Sequence, residues 1–534
     1  MKKIYIYALA ASLSLGFTAC EDLDTMPAGS TLTSEQKEEV AKLDPGKAIA
    51  GVNAIFAQFN QYMPNATALG AERHNDFGYP SVMMFTDANG YDMVSDDNGY
   101  NWAGNNLDFS DRVNTSRESQ ILWNDMYAII YAANNVITAI DRETEENTSK
   151  YYLAQGLSVR AFSYFVLAQL YQFNYAEHKN DPCVPIVTDL NSNEVAVNGA
   201  PRSTVEEVYT LILDDLDTSI DLLTDAEENG VTRADRRYIS LAVAYGLRAR
   251  VNLTMQNWSA AAADAAKAIE VSDAQPAGLT DVNKPSFMSS TEKNWMWGII
   301  VAETDRVVTS GIVNWISHMG SLNYGYANFS GGRQINKKLY NTIPASDIRK
   351  NWWLDKDGVS PVLTNEQKAF IDQYYGPYTQ IKFAPYANEV GTSTNANDMP
   401  LMRIEEMYLI KAEAEAMAGQ DGKSTLENFI KTYRDPEYVC MVSSAADVQE
   451  EVFRHRRIEL WGEGLNWFDV MRLNKPVDRR GGGFPNATMI FNIPAKSPLL
   501  LWRIPEAEIQ ANPSLEDSDN NPSAPTPDPV ADEE

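Results

Sequence analysis

Histidine and cysteine are scarce in this chain, with 4 His and 3 Cys among 534 residues. His74, His178, His318 and His455 are scattered, and none belongs to a HExxH run or a close ligand pair. No histidine-held metal centre is expected. Cys20, Cys183 and Cys440 are too few for a disulfide scaffold and leave room for a single bridge between the last two. Positive charge is also short: 44 Lys and Arg stand against 73 Asp and Glu, a net charge of −29. A surface that neutralises phosphates needs clustered cations, so nucleic acid is not an expected partner. Beyond the leader no run reaches the ~18 apolar residues of a spanning helix.

The usual marks of catalysis are missing too. Gly481 to Gly483 form a glycine run without the Lys-Ser or Lys-Thr of a phosphate cradle, so they read as a flexible turn. Aligning Gly99 of Asp96-Asp97-Asn98-Gly99 with the sixth position of a calcium loop puts Val94 first and Asn105 last, both wrong for an EF-hand. Glu405, Glu406, Glu413 and Glu415 lie on one predicted helix, where solvation or pairing with Lys411 is the expected role. The expectation is a protein that is not an enzyme and has no cofactor.

What the chain does have begins at its start. Lys2 and Lys3 precede an apolar stretch, Ile4 to Phe17, then the small residues Thr18 and Ala19, Cys20, and acidic Glu21, Asp22 and Asp24. This is the layout of an export signal over residues 1–19. A cysteine at the cut is the mark of lipidation, so Cys20 is the expected anchor and residues 20–46 a polar tether. Several acyl chains hold a protein to a membrane where a single one binds marginally.

Residues 47–511 are expected to form one mostly α domain. Leu122, Met126, Ile129, Ile130, Ala133, Val136, Ile137 and Ile140 recur at three and four residue steps, which predicts a helix over 120–141. A second is predicted over 150–173, and a third from an N-cap at Ser203 with Glu206 at capping-box spacing. Residues 237–253 and 259–271 predict a helical hairpin turning at Gln256-Asn257. Helix returns over 401–418, 446–463 and 467–473. Repeated helix pairs point to tetratricopeptide-like pairs in an α-solenoid scaffold, although no fixed period of ~34 residues fits. Residues 274–400, rich in Gly, Pro, Asn and aromatics, read as a loop-rich ligand-binding insertion. Residues 512–534 hold five prolines and seven acidic side chains and predict a disordered tail.

The aromatics give the candidate site. Tyr91, Tyr100 and Trp102 stand in or beside a polar, glycine-rich segment. Trp295, Trp297, Trp315, Tyr324, Tyr326 and Phe329 lie in the insertion beside Ser321, Asn323, Asn328 and Arg333. Flat rings next to amides suit sugars, whose C–H faces stack while hydroxyls take directed bonds. They suit peptides as well, and any one ring can instead fill a satellite core. The candidate ligand-binding set is Tyr100, Asn101, Trp102, Trp315, Tyr324, Tyr326 and Arg333.

Trp123, Tyr127, Asn134-Asn135 and Arg160-Ala161-Phe162 resemble the SusD/RagB family of Bacteroidetes surface lipoproteins. So do Thr204-Val205-Glu206-Glu207-Val208-Tyr209 with Asp215-Leu216, Met402 to Ile410 with Ala412-Glu413-Ala414, Arg456 to Gly464 with Trp467-Phe468-Asp469-Val470, and Trp502-Arg503-Ile504-Pro505 with Asn512-Pro513. The resemblance implies helix pairs as scaffold, a variable loop region for ligand, and a SusC-like TonB-dependent transporter as partner. It also implies lipid anchoring in the outer membrane, facing the cell exterior, with capture of oligosaccharide for that transporter as the function. The alternative is a peptide-binding or transporter-docking protein of the same family without glycan binding. The signature residues themselves read as packing, with Arg457 and Glu459 expected in buried pairs.

Overall fold

The computed structural model describes residues 48–96 and 102–533; Cys20 and the tether lie outside them. The scaffold is a succession of helices: α1 Ile49–Gln58, α2 Tyr79–Asn89, α3 Arg117–Ala139, α4 Asn147–Tyr171, α5 Val205–Glu228, α6 Leu241–Thr254, α7 Trp258–Val271, α8 Ile404–Met417, α9 Gly422–Tyr433 and α10 Ala445–Glu459. α3 packs on α4, α4 on α5, α5 on α6 and α6 on α7, while α8 packs on α7 and carries α9 and α10. The fold is mostly helical, with tetratricopeptide-like pairs.

Local chemistry explains the boundaries. Ser116 caps α3 by accepting the Ser119 N–H, at 3.0 Å. The capping box of α5 is Thr204 with Glu207, one residue later than the predicted Ser203 and Glu206. Gln256 turns the α6–α7 hairpin with φ of 64°. On α7 the fully buried Ala261, Ala265 and Ala268 let that helix lie between α6 and α8. Arg160 of α4 reaches both neighbouring helices: Nη2 donates to Asp215 of α5 at 2.7 Å and Nη1 to Asn134 of α3 at 2.9 Å.

The carboxylates of α8 are not solvated. Glu405, Glu406 and Glu413 are buried, and each meets arginine. Glu406 holds Arg250 and Glu413 holds Arg472 at 2.6 Å, while Glu415 takes Lys411 at 2.5 Å. Glu405 joins a larger cluster centred on Glu459, whose oxygens lie 2.8 Å from Arg434 Nε, 3.0 Å from Arg403 Nη1 and 3.2 Å from Arg349 Nη1. Arg403 also pairs with Glu463, which takes Lys382 Nζ at 2.6 Å. Arg349 is clamped by Asp347 at 2.6 Å. Arg457 pairs with Asp92, so both signature residues are in buried or partly buried pairs.

Residues 274–400 hold mostly short elements, the longest being the ten-residue helix Asn365–Tyr374. Antiparallel strand pairs tie them down: β1 Met93–Val94 with β3 Gln334–Ile335, and β2 Trp295–Ile299 with β4 Met399–Arg403. A third pair joins β5 Val477–Asp478 to β6 Asn492–Ile493. Residues 512–533 run across the domain: Asn521 Nδ2 donates to Trp502 O at 2.7 Å, Arg202 Nη1 to Asp519 O at 2.7 Å, and Val530 N to Ile490 O at 2.8 Å. The prolines that suggest disorder also suit an extended strap, whose polar groups bond to the body rather than to each other.

Candidate functional site

Three stretches meet at one surface: Arg73 to Phe77 after α1, Trp102 after β1, and the short insertion helices Trp315–Met319 and Tyr326–Phe329. The β1–β3 pairing, Met93 to Ile335 and Val94 to Gln334, sets the second stretch against the third. Gly325 permits close approach, since a Cβ there would stand 2.6 Å from Ser317 Cα.

The rings form a column from core to surface. Buried Phe77 stacks on His318 at 5.6 Å between centroids, and His318 stacks on Tyr326 at 4.9 Å. Tyr326 meets Trp102 edge-on at 6.2 Å, and His74 lies flat against Trp102 at 5.0 Å. Arg73 places its guanidinium carbon 4.9 Å from the Trp102 ring centre and pairs with Glu118 at 2.9 Å. Polar bonds fix the column. His74 Nδ1 bonds the Tyr326 hydroxyl, His318 Nε2 donates to His74 O at 3.0 Å, and Asn75 Nδ2 donates to Trp102 O at 2.9 Å. Burial holds the His74 imidazole below its ordinary value, with Glu72 opposing and Arg73 reinforcing. Trp102 has φ of 54°, an unusual conformation for a bulky residue that these contacts hold in place.

Tyr324 and Phe329 flank Tyr326 in the chain and are 42% and 49% exposed, with their rings edge-to-face at 5.9 Å. Amides lie alongside: Asn323 Nδ2 donates to Asn395 Oδ1 at 2.8 Å and Asn328 Nδ2 to the Tyr375 hydroxyl at 2.9 Å. Both amides are buried and engaged, so what the arrangement offers a ligand is the exposed rings themselves. Among the described residues no group of three or more His, Cys, Asp or Glu is placed to hold a metal ion.

Two of the candidate residues are buried rather than brought to the surface. Trp315 is 1% exposed and packs edge-on against Phe383 at 4.9 Å, so its faces belong to the core. Arg333 is equally buried. Its Nε donates to His318 O at 3.1 Å and its Nη1 to the Ser95 hydroxyl, so it braces the column from beneath. Burial pushes its guanidinium down to about 10. Trp295 and Trp297 are fully buried in β2, and Tyr91 lies under Arg457. Trp102 and Tyr326 do come together, with Tyr326 as support, while Tyr324 pairs with Phe329. Tyr100 and Asn101 lie outside the described residues. Sequence reasoning passed over Arg73 and His74. Their one signal is a cation next to an imidazole in a short loop.

Comparison with known families is decisive. A family model described as "Starch-binding associating with outer membrane" matches residues 36–253, and a model described as "SusD family" matches residues 314–522. The chain belongs to the SusD/RagB family. A SusD-like protein, P38, of Formosa agariphila is 23% identical over 412 residues, covering 68% of this chain and 74% of that protein. Among solved SusD structures, a SusD-like carbohydrate binding protein from Bacteroides vulgatus superposes with a TM-score of 0.71 at 22% identity, covering 89% of this chain and 97% of that one. The surface glycan-binding protein A of Bacteroides thetaiotaomicron, solved with laminarihexaose, gives 0.61 at 17% identity over 89% of this chain and 99% of its own. At these identities the likeness shows the SusD fold. Among the described residues no helix is long and apolar enough to cross a membrane.

Proposed function

We propose that this SusD/RagB protein is a surface-exposed glycan-binding lipoprotein, not an enzyme, that captures oligosaccharide and passes it to a SusC-like TonB-dependent outer-membrane transporter. The anchor is the lipid on Cys20, and the protein faces the cell exterior. The observation that carries the binding role is the ring column ending at Trp102, together with the exposed, paired rings of Tyr324 and Phe329. A ring already held by His74 and Arg73 loses little freedom when a sugar face stacks on it, so the binding is preorganised. Tyr100 and Asn101 belong to the same proposed set by their place next to Trp102 in the chain. The glycan-binding relatives of this fold support the reading.

A glycan array followed by calorimetry on the best ligand tests it. Trp102→Ala and Tyr324→Ala are each expected to cost about 2 to 4 kcal/mol of binding if they are hot spots. Unchanged affinity in both variants, with their folds intact, overturns the site.

A further inference from the structure

Glu118 stands in the first turn of α3 and is 1% exposed. Its carboxylate gathers three donors. Oε1 accepts Arg73 Nη2 at 2.9 Å and Asn75 Nδ2 at 3.4 Å, and Oε2 accepts Asn105 Nδ2 at 3.0 Å. Each donor also leads to Trp102 by a second route. The Arg73 guanidinium carbon lies 4.9 Å from the Trp102 ring centre, and Asn75 Nδ2 shares its other hydrogen with Trp102 O at 2.9 Å. Asn105 belongs to the short helix Gly104–Leu107 that follows Trp102 in the chain.

The direction of these bonds is informative. α3 packs on α1, α2 and α4, yet among the described residues the Glu118 side chain bonds to none of those helices. All of its side-chain bonds go to the two stretches that flank the top of the ring column. It is also the one ion-pair partner of Arg73 among the described residues. The first turn of a long helix favours an anion, so the charge is stabilised where it stands. Trp102, by contrast, has φ of 54°, a conformation that a bulky side chain keeps only where its surroundings over-determine it. One buried carboxylate therefore ties together the groups that do so.

Resting on the glycan-binding reading above, we infer that Glu118 is a positioning residue for the site: it touches no ligand, and it sets the Trp102 ring in place through Arg73, Asn75 and Asn105 before a ligand arrives. A charged acceptor makes stronger bonds than a neutral one, so the carboxylate is the part that matters. Without its charge Arg73 loses its ion pair, and the ring loses a cation held over it. Binding then has to order Trp102 as well as the sugar, which weakens it.

The first test needs no ligand. The full chain is labelled with 5-fluorotryptophan, and the fluorine lines of Trp102 and Trp123 among its 11 tryptophans are those removed by Trp102→Phe and Trp123→Phe. In Glu118→Gln the Trp102 line is expected to shift and broaden, while the Trp123 line, from the same helix, stays in place. An unmoved Trp102 line, or two lines that move together, overturns the inference, because the second result is what a scaffold role gives. Calorimetry with the best glycan from the array is the second test. Glu118→Gln is expected to weaken binding about three- to tenfold, the scale of ordering one side chain on binding. On top of Trp102→Ala it should add nothing, whereas an independent role would add its full factor. If Trp102→Ala removes binding altogether, the fluorine lines decide. Asn105→Ala, at an exposed position that leaves the buried charge intact, should move both readouts the same way by less, and it carries the test if Glu118→Gln does not fold. Affinity that ignores Trp102→Ala sinks the ring site, and the fluorine lines still report what Glu118 holds.

Discussion

Replacing Glu459 by Gln keeps the side chain's shape and removes one charge from the cluster that joins the insertion to the helices. Arg349, Arg403, Arg434 and Lys382 face Asp347, Glu405, Glu459 and Glu463, so cations and carboxylates balance. His455 accepts from Arg349 at 2.8 Å and is held down to about 4, so it is neutral at ordinary pH and does not upset the balance. Glu459→Gln therefore leaves one uncompensated cation among fully buried groups, and breaking a buried pair from one side costs about 3 to 5 kcal/mol. Against a total stability of about 5 to 15 kcal/mol this is a large fraction. Urea unfolding followed by tryptophan fluorescence at pH 7 should show a lower midpoint. Burial alone would raise Glu459, but Arg434, Arg403 and Arg349 outweigh it and hold the carboxyl well below its ordinary 4.5. Because the folded value is depressed, its contribution is complete above about 4.5 and is lost as pH falls toward the folded value, so the variant's deficit should shrink in acid. Glu459→Met combined with Arg434→Met removes one charge of each sign and should recover much of the loss. An unfolding free energy for Glu459→Gln that stays within about 0.5 kcal/mol of the parent, the scatter of an ordinary surface substitution, would refute the reasoning.

Burial pushes Asp87 up to about 7 from 3.8, so the folded state holds the extra proton between those values and stability falls as pH rises through that window. Asp87→Asn should flatten that slope and stabilise the protein at pH 8 by at most roughly 4 kcal/mol, from about 1.4 kcal/mol per pH unit; a stability–pH curve identical to the parent's would contradict this. Cys183 and Cys440 are both free and buried, and burial pushes the Cys183 thiol up to about 12. A thiol reagent should leave both unmodified until the protein unfolds, and a reductant should not change Tm; prompt labelling of the native protein would count against the packing.

Helix positions were legible because apolar periodicity reports burial directly: Leu122 to Ile137 line the buried face of α3, and the hairpin turned at Gln256. The cap of α5 was misplaced by one residue, since Ser203 and Thr204 are equally good caps and only backbone geometry chooses between them. Glu415 takes Lys411 as expected, but Glu405, Glu406 and Glu413 were misread because their arginines lie far away in sequence, Arg250 and Arg472 among them. For the candidate site, aromatic composition marked the insertion but could not sort its buried rings from its exposed ones. Trp315 and Tyr324 look alike in sequence, and only packing sends one under Phe383 and the other outward. The column beneath Trp102 was hidden because His74 and Phe77, Trp102, and His318 with Tyr326 come from three separate stretches.

The charge cluster divides the insertion into a base and a face. Arg349 and Lys382 are insertion residues, yet their partners Glu459 and Glu463 stand at the end of α10 and just beyond it. The bolts that hold the insertion to its frame therefore sit beneath it, while Tyr324 and Phe329 stand on top and make no part of that fastening. A mount of this kind is interchangeable: the face can be recut for a different ligand without loosening the attachment. Engineering of specificity belongs at the exposed Tyr324 and Phe329, with buried Arg333 and the anchors below left alone.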